Sequence, residues 1–578
     1  MTGPAAPKDP EKARPFFYIL KDKDIFGERQ KDGTGIQFIY ESDGRLINSA
    51  QITGNVTDKE ELTLLETVEG FGRLVHSIGV SVETDRPKET AEFVFQMYGK
   101  KDLYGGGTNL TTSLKCDGME HRIYLSDYRW TEDDHVPGQI KILFAAPERM
   151  GKVSVRLFLN DGYEAPPEEE DLVIDMHSEE YCGMISRSLL QLGNPYRIRK
   201  AIEKSKAGKE VTLAYIGGSI TQGAGAIPIH TECYAYKSFQ LFQNRFSTQN
   251  NVRFIKAGVG GTPSELGMIR FDRDVLREGE RPDIVVIEFA VNDEGDETKG
   301  VCYESLVRKV LKLPWKPAVV LLFSVFANDW NLQERLRPVG DLYDLPMVSI
   351  RDAVTPQFSL KCGEGRILSK NQFFYDIFHP NNTGHTIMAD CLQYLFERCD
   401  AAEPARVGTF VEGMTEEQIL SEKLSGPAVI GADFERIFLL DKKNRYVGAK
   451  IRAGGFASTD MELQSVEMDG NLTQTPEFPY NWMYDGSRPQ MQGFEMEITC
   501  KSLFLIFKDS GEMDVGKANV FVNDVYCMTA DPHKNNWLHC NAVLLFWETE
   551  SRSHKVRIAV TEEDRNKKFT ILGFGYTI

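Results

Sequence analysis

Residues 211–225 read VTLAYIGGSITQGAG. Val211 to Ile216 is a short apolar run of the kind that forms a buried strand. The run breaks at Gly217-Gly218 and leaves Ser219 at the strand's end, where a sharp turn needs backbone angles that a side chain would block. In a doubly wound sheet the carboxyl edge of the strands is where ligands bind. Alone, such a serine equally suits a turn or a helix N-cap. A phosphate loop fits poorly, because no Lys follows in P-loop fashion and the glycines do not match G-x-G-x-x-G.

Outward from this stretch the pattern repeats. PYRIRKAIEKSKAGKE reads as a helix feeding the Val211 strand, and VRFIKAG is a second strand ending at Gly258. ELGMIRFDRDVL reads as a helix, PDIVVIEFAVND as a strand, YESLVRKVLKL as a helix, and PAVVLLFSVF and LPMVSI as strands. NNTGHTIMADCLQYLFERC closes the series as a helix. Alternation of this kind predicts a parallel sheet covered on both faces.

Each strand of that sheet delivers a polar group to one edge. Ser219 comes first, and KAGVGGTPS follows as a glycine run exposing backbone N–H groups. EFAVND ends in Asn292, and YDIFHPNNTGH brings Asp376 and His379. A serine hydroxyl is a weak nucleophile until a neutral imidazole within hydrogen-bond reach accepts its proton. A carboxylate on the other ring nitrogen holds that imidazole in one tautomer, and Asp376 stands three residues before His379. The tetrahedral intermediate needs preorganised donors. The N–H of Ser219, a glycine N–H and the Asn292 side-chain amide are three candidates.

The four blocks resemble the SGNH/GDSL hydrolases, a family named for a Ser, Gly, Asn and His in four such motifs. GGSIT is similar to the first block, with Ser219 matching the nucleophile. AGVGGTPS resembles the second, with Gly261 in the place of the oxyanion glycine and Gly260 as the alternative. AVND resembles the third, giving Asn292, and DIFHP the last, giving Asp376 and His379. Gly218 stands where many members have Asp, and Ala290 where many have Gly. The resemblance spans roughly 188–398 and implies a flavodoxin-like α/β/α core over residues 172–400. It also implies a catalytic Ser219, Asp376 and His379, and an oxyanion hole from Ser219, Gly261 and Asn292.

The flanks read differently. From about Pro15 to Gly162, runs such as AEFVFQMYG, HRIYLSDYRW, GQIKILFAAP and GKVSVRLFLNDG predict an antiparallel β-sandwich over residues 15–165. The acidic, Pro-rich EAPPEEED reads as the linker that follows. Beyond a polar segment after Asp400, RIFLLDKKNRYVGAKIRAGG, SLFLIFKDSG, KANVFVNDVYCM, NAVLLFWETE, HKVRIAVTEED and KFTILGFGYTI predict a second β-sandwich over 430–578. The fold class is thus multidomain, α/β plus all-β. β-Sandwich partners on an SGNH core resemble the family's carbohydrate esterases, which implies an acetylated oligosaccharide as substrate. Trp330, Trp482 and Trp537 are candidate sugar contacts, with packing the competing role.

Composition narrows the classes. A chain of 578 residues is too long for one core. Its net charge of −18, spread along the sequence, argues against nucleic acid or an anionic membrane as partner. No stretch is apolar for long enough to span a bilayer, and the N-terminus has no apolar signal core. The expectation is a cytoplasmic protein, or a secreted one whose leader has been removed. Ten scattered cysteines without a CxxC pair read as reduced thiols, with no metal site and no cofactor. The reading is a serine esterase removing small acyl groups, most simply acetyl, from a carbohydrate. The alternatives are an esterase acting on lipid esters or thioesters, and a non-catalytic glycan-binding protein.

Overall fold

Six apolar segments of the central region pair into one sheet. In spatial order they are Leu189–Gln191, Met347–Ser349, Ala318–Phe323, Ile284–Glu288, Val211–Gly217 and Val252–Gly258. Only the first is antiparallel to its neighbour. Counting the five parallel strands along the chain, the order is the flavodoxin type, and it reverses direction between Val211–Gly217 and Ile284–Glu288. Side-chain alternation along each strand gives the sheet two cores. Leu213, Tyr215, Ile284 and Val286 face one, with helices Tyr196–Lys206, Tyr234–Phe246 and Asn382–Ala401. Ala214, Ile216, Val285 and Ile287 face the other, with helices Ser264–Phe271 and Val301–Leu311.

This computed structural model describes residues 12–40, 44–101, 105–168, 170–402, 415–487 and 493–578. On the N-terminal side two antiparallel sheets, of four and five strands, face each other across one core. Val153, Val155, Leu157 and Leu159 of one sheet meet Phe93, Phe95, Ile140 and Ile142 of the other. The region is not all-β, because three short helices, Arg45–Gly54, Lys59–Leu64 and Val68–Leu74, connect its sheets. Asp58 and Thr67 cap the second and third of these, accepting from backbone N–H groups of the first turn.

The C-terminal strands form one connected eight-stranded network with a separate two-stranded ribbon, Ser465–Glu467 with Gln474–Pro476. NAVLLFWETE and HKVRIAVTEED, read separately in the sequence, belong to one strand, His539–Val560. The strand Phe494–Asp509 explains how this sheet meets the catalytic core. Leu503, Leu505 and Phe507 point into the sheet's own core, while Phe504 and Ile506 join the core of the central domain. Every residue of helix Ser264–Phe271 is buried as a result, caught between the parallel sheet and the C-terminal one.

Candidate active site

The site lies at the carboxyl edge where the strand order reverses. Val211–Gly217 runs into a single helical turn, Ser219–Gln222, which puts Ser219 at its first position. Gly218 is demanded by its neighbour. A β-carbon there would stand 2.2 Å from Asn292 Oδ1 and 2.6 Å from its Nδ2, so the Asn292 amide lies flat against the turn. Behind the turn, the fully buried Arg270 donates to the carbonyls of Gly217 at 2.8 Å and Ala257 at 2.7 Å. It ties together the ends of the first two strands. Nothing in the sequence marked Arg270, because its role depends on which strand ends meet.

His379 Nε2 stands 3.0 Å from Ser219 Oγ, and its Nδ1 is 2.9 Å from Asp376 Oδ2. The D-x-x-H spacing works because the loop closes on the carboxylate. Asp376 Oδ1 accepts the backbone N–H groups of Phe378 and His379, both at 2.8 Å. Tyr375 N–H returns to the His379 carbonyl at 2.8 Å. Burial would raise the Asp376 carboxyl, but His379, Arg45 and the Phe378 N–H outweigh it and hold it at about 2. Arg45 comes from the first N-terminal helix, so that region adds positive potential at the site. His385, six residues after His379, is a structural histidine. Its Nδ1 accepts from Tyr234 N–H, its Nε2 donates to the Ala224 carbonyl, and burial pulls it down to about 3.

Among the described residues no hydrogen bond engages Ser219 N–H, Gly261 N–H or the Asn292 side-chain amide, whose buried Oδ1 is also unpaired. Gly260 differs, since its N–H is taken by Gln222 Oε1 at 3.0 Å. Of Gly260 and Gly261, the latter therefore has the free donor. Glu288, at the end of the third parallel strand, is fully buried beneath the turn and accepts from Thr221 Oγ1 at 3.1 Å. Burial pushes its carboxyl up to about 7. No group of three or more His, Cys, Asp or Glu among the described residues could hold a metal ion. None of their helices is long and apolar enough to cross a membrane.

The three tryptophans separate. Trp537 belongs to the C-terminal region, is 43% exposed, and lies over the second block, where a β-carbon on Gly261 would stand 2.7 Å from its ring. Trp330 stacks on Phe326 at 5.7 Å, Phe326 meets Phe378 at 5.1 Å, and Phe378 borders His379 at 6.1 Å. It supports the rim through two rings, and the exposed Phe378 is the aromatic beside the histidine that sequence reading missed. Trp482 is a correction. It is 5% exposed and packs on Phe494 and Phe574 inside the C-terminal core, so it is not a surface contact for a sugar. Its YNWMYD setting resembled a loop, but Trp482–Tyr484 is a strand paired with Phe569–Ile571.

Residues 215–387 match the GDSL-like Lipase/Acylhydrolase family. That segment contains Ser219, Gly261, Asn292, Asp376 and His379 together with the sheet that gathers them. The protein is a carboxylic ester hydrolase with a central domain of the GDSL type. A solved two-domain esterase (CEX) active on acetylated mannans, co-crystallised with mannopentaose, is 23% identical with a TM-score of 0.55, over 68% of this chain and 97% of that one. A second structure of that esterase, also 23% identical, gives a TM-score of 0.54 over 68% of this chain and 98% of that one. A catalytic mutant of Axe2, an acetylxylan esterase from Geobacillus stearothermophilus, is 17% identical with a TM-score of 0.26, over 33% of this chain and 95% of that one. No curated protein matches the chain.

Proposed function

We propose that the protein is a serine esterase that removes acetyl groups from a carbohydrate through an acyl-enzyme. The observation carrying this reading is the unbroken line from Asp376 through His379 to Ser219, with contacts of 2.9 and 3.0 Å. His379 Nε2 accepts the Ser219 proton as Oγ attacks the ester carbonyl. Ser219 N–H, Gly261 N–H and the Asn292 amide receive the developing oxyanion. The imidazolium, steadied by the ionised Asp376, returns its proton to the departing sugar hydroxyl. Water, deprotonated by the same ring, then attacks the acetyl-serine and releases acetate.

Two features favour a sugar ester over a long-chain one. The half-exposed Trp537 ring at Gly261 and the exposed Phe378 beside His379 offer apolar faces next to two members of the site. The solved two-domain esterase that matches 68% of this chain is active on acetylated mannans. Binding energy from sugar rings remote from the ester can orient the carbonyl, so it should raise kcat as well as lower KM. The test compares acetylated manno- and xylo-oligosaccharides with acetyl, butyryl and octanoyl p-nitrophenyl esters. Acetate release with the highest kcat/KM on a glycan is the expected result. Preference for the octanoyl ester, with no acetate from any glycan, would leave a serine esterase of another substrate class.

A further inference from the structure

The loop bearing Gly261 is held by the C-terminal sheet rather than by the catalytic domain alone. Gln464 Nε2 donates to the Gly260 carbonyl at 2.9 Å, and the Cys540 N–H donates to Gln464 Oε1 at 2.9 Å. Since a backbone N–H can only donate, the Gln464 amide has one orientation. His539 Nε2 stands 3.1 Å from the Gly261 carbonyl, an acceptor, so that nitrogen carries the proton. Its Nδ1 is 3.3 Å from Asp509 Oδ2, and Asn535 Nδ2 donates to the same oxygen at 2.5 Å. His539 and Asp509 are 5% and 0% exposed, and the His539 ring packs on Trp537 with centroids 4.7 Å apart.

The trans peptide turns these contacts into a directional constraint. Within one peptide plane C=O and N–H point in opposite directions. Holding the Gly260 carbonyl toward Gln464 therefore aims the Gly261 N–H the other way, and that N–H is the unpartnered one. Gly261 has φ +71 and no room for a β-carbon, so a glycine alone takes this conformation. Its freedom elsewhere would be large, and two donors from another part of the chain remove it.

We infer that Gln464 and His539 are positioning residues for ester hydrolysis, fixing the Gly260–Gly261 peptides so that the Gly261 N–H is preorganised for the oxyanion. The inference rests on the reading that Gly261 belongs to the oxyanion hole. Neither residue touches the reacting atoms, so the effect must appear in kcat, not in substrate binding. Losing one oxyanion donor outright costs about 10²–10³ in kcat, and a misdirected donor should cost roughly 10–100-fold.

The experiment measures kcat and KM on p-nitrophenyl acetate, which has no sugar to bind, together with Tm. Gln464→Glu keeps an acceptor for Cys540 and replaces the donor to Gly260 with a carboxylate oxygen that repels its carbonyl. His539→Phe keeps a ring against Trp537 and loses the donor to Gly261, while His539→Gln keeps an N–H. Gln464→Glu and His539→Phe are expected to lose roughly 10–100-fold in kcat with KM within about twofold, and His539→Gln to recover most of the loss. If His539→Phe does not fold, the comparison of Gln464→Glu with His539→Gln decides. Unchanged kcat in the folded variants, or a loss confined to KM, overturns the inference. Ser219→Ala and Asn292→Ala serve as controls. If they too retain turnover, the hydrolytic reading fails, whereas their loss beside intact Gln464→Glu and His539→Phe sinks the positioning role alone.

Discussion

The Asn292 side chain rests directly on the α-carbon of Gly218, at a separation that leaves no space for a methyl group. The residue before the serine and the amide beyond the third strand therefore define one another's position. Introducing Ala at Gly218 should displace the amide and lower kcat on p-nitrophenyl acetate by roughly 10–10², with Asp at least as damaging. Wild-type turnover in a folded Gly218→Ala would show that the contact has no bearing on catalysis.

Ser219→Ala and His379→Ala should each lower kcat by about 10⁴ or more, and the double variant should be little worse than either, because the two act as one unit. Asp376→Ala should cost less. Steady-state kinetics with p-nitrophenyl acetate measures this, and additive losses in the double variant would break the triad assignment.

Asn292→Ala removes an amide that meets the carbonyl oxygen once charge has developed. A fall in kcat of about 10²–10³ with KM nearly constant is expected. A change confined to KM would make Asn292 a substrate ligand instead.

Ser219, Gly261 and Asn292 were readable because each stands within a few positions of a strand end, where hydrophobic runs and glycines mark the chain, and Asp376 and His379 because they stand just ahead of the last helix, Asn382–Ala401. The alternation of strands and helices from Val211 onward was equally plain, as was the D-x-x-H spacing. What could not be read were the partners brought by other regions: Arg45 near Asp376, Arg270 across two strand ends, and Gln464 and His539 on the Gly260–Gly261 loop. Their side chains are ordinary, and only tertiary pairing gives them meaning. Trp482 shows the opposite error, an aromatic in a turn-like context that a strand carries inward. The helices between residues 45 and 74 escaped because they are short, with signals confined to caps such as Asp58 and Thr67.

Stability should fall as pH rises through neutrality. Burial raises Glu288 from 4.5 to about 7 and Asp293 from 3.8 to about 8. Between the unfolded and folded values the folded state binds more protons, so the slope of stability against pH is negative. The contribution of Glu288 is complete below 4.5 and gone by about 7, and that of Asp293 persists to about 8. Asp376 runs the other way, since its contribution is present above 3.8 and lost as pH drops toward about 2. His385, pulled down from 6.5 to about 3, opposes this trend below about pH 6.5. Calorimetry between about pH 6.5 and pH 8 should therefore show a falling Tm, with a shallower fall in Asp293→Asn. A Tm rising over that range would contradict the buried, protonated carboxyls.

The two-faced strand Phe494–Asp509 has a consequence for biosynthesis. The central domain leaves the ribosome with its nucleophile, histidine and sheet already made, but with helix Ser264–Phe271 bare on one side. Ile269, which packs against Gly575, and the core it shares with Phe504, Ile506 and Leu572 stay incomplete until those residues have been synthesised. For the whole of that interval the nascent chain carries a greasy, unfinished surface of the kind that draws chaperones or neighbouring chains. A stop codon in the last third of the message is thus expected to leave an aggregating fragment rather than a smaller esterase.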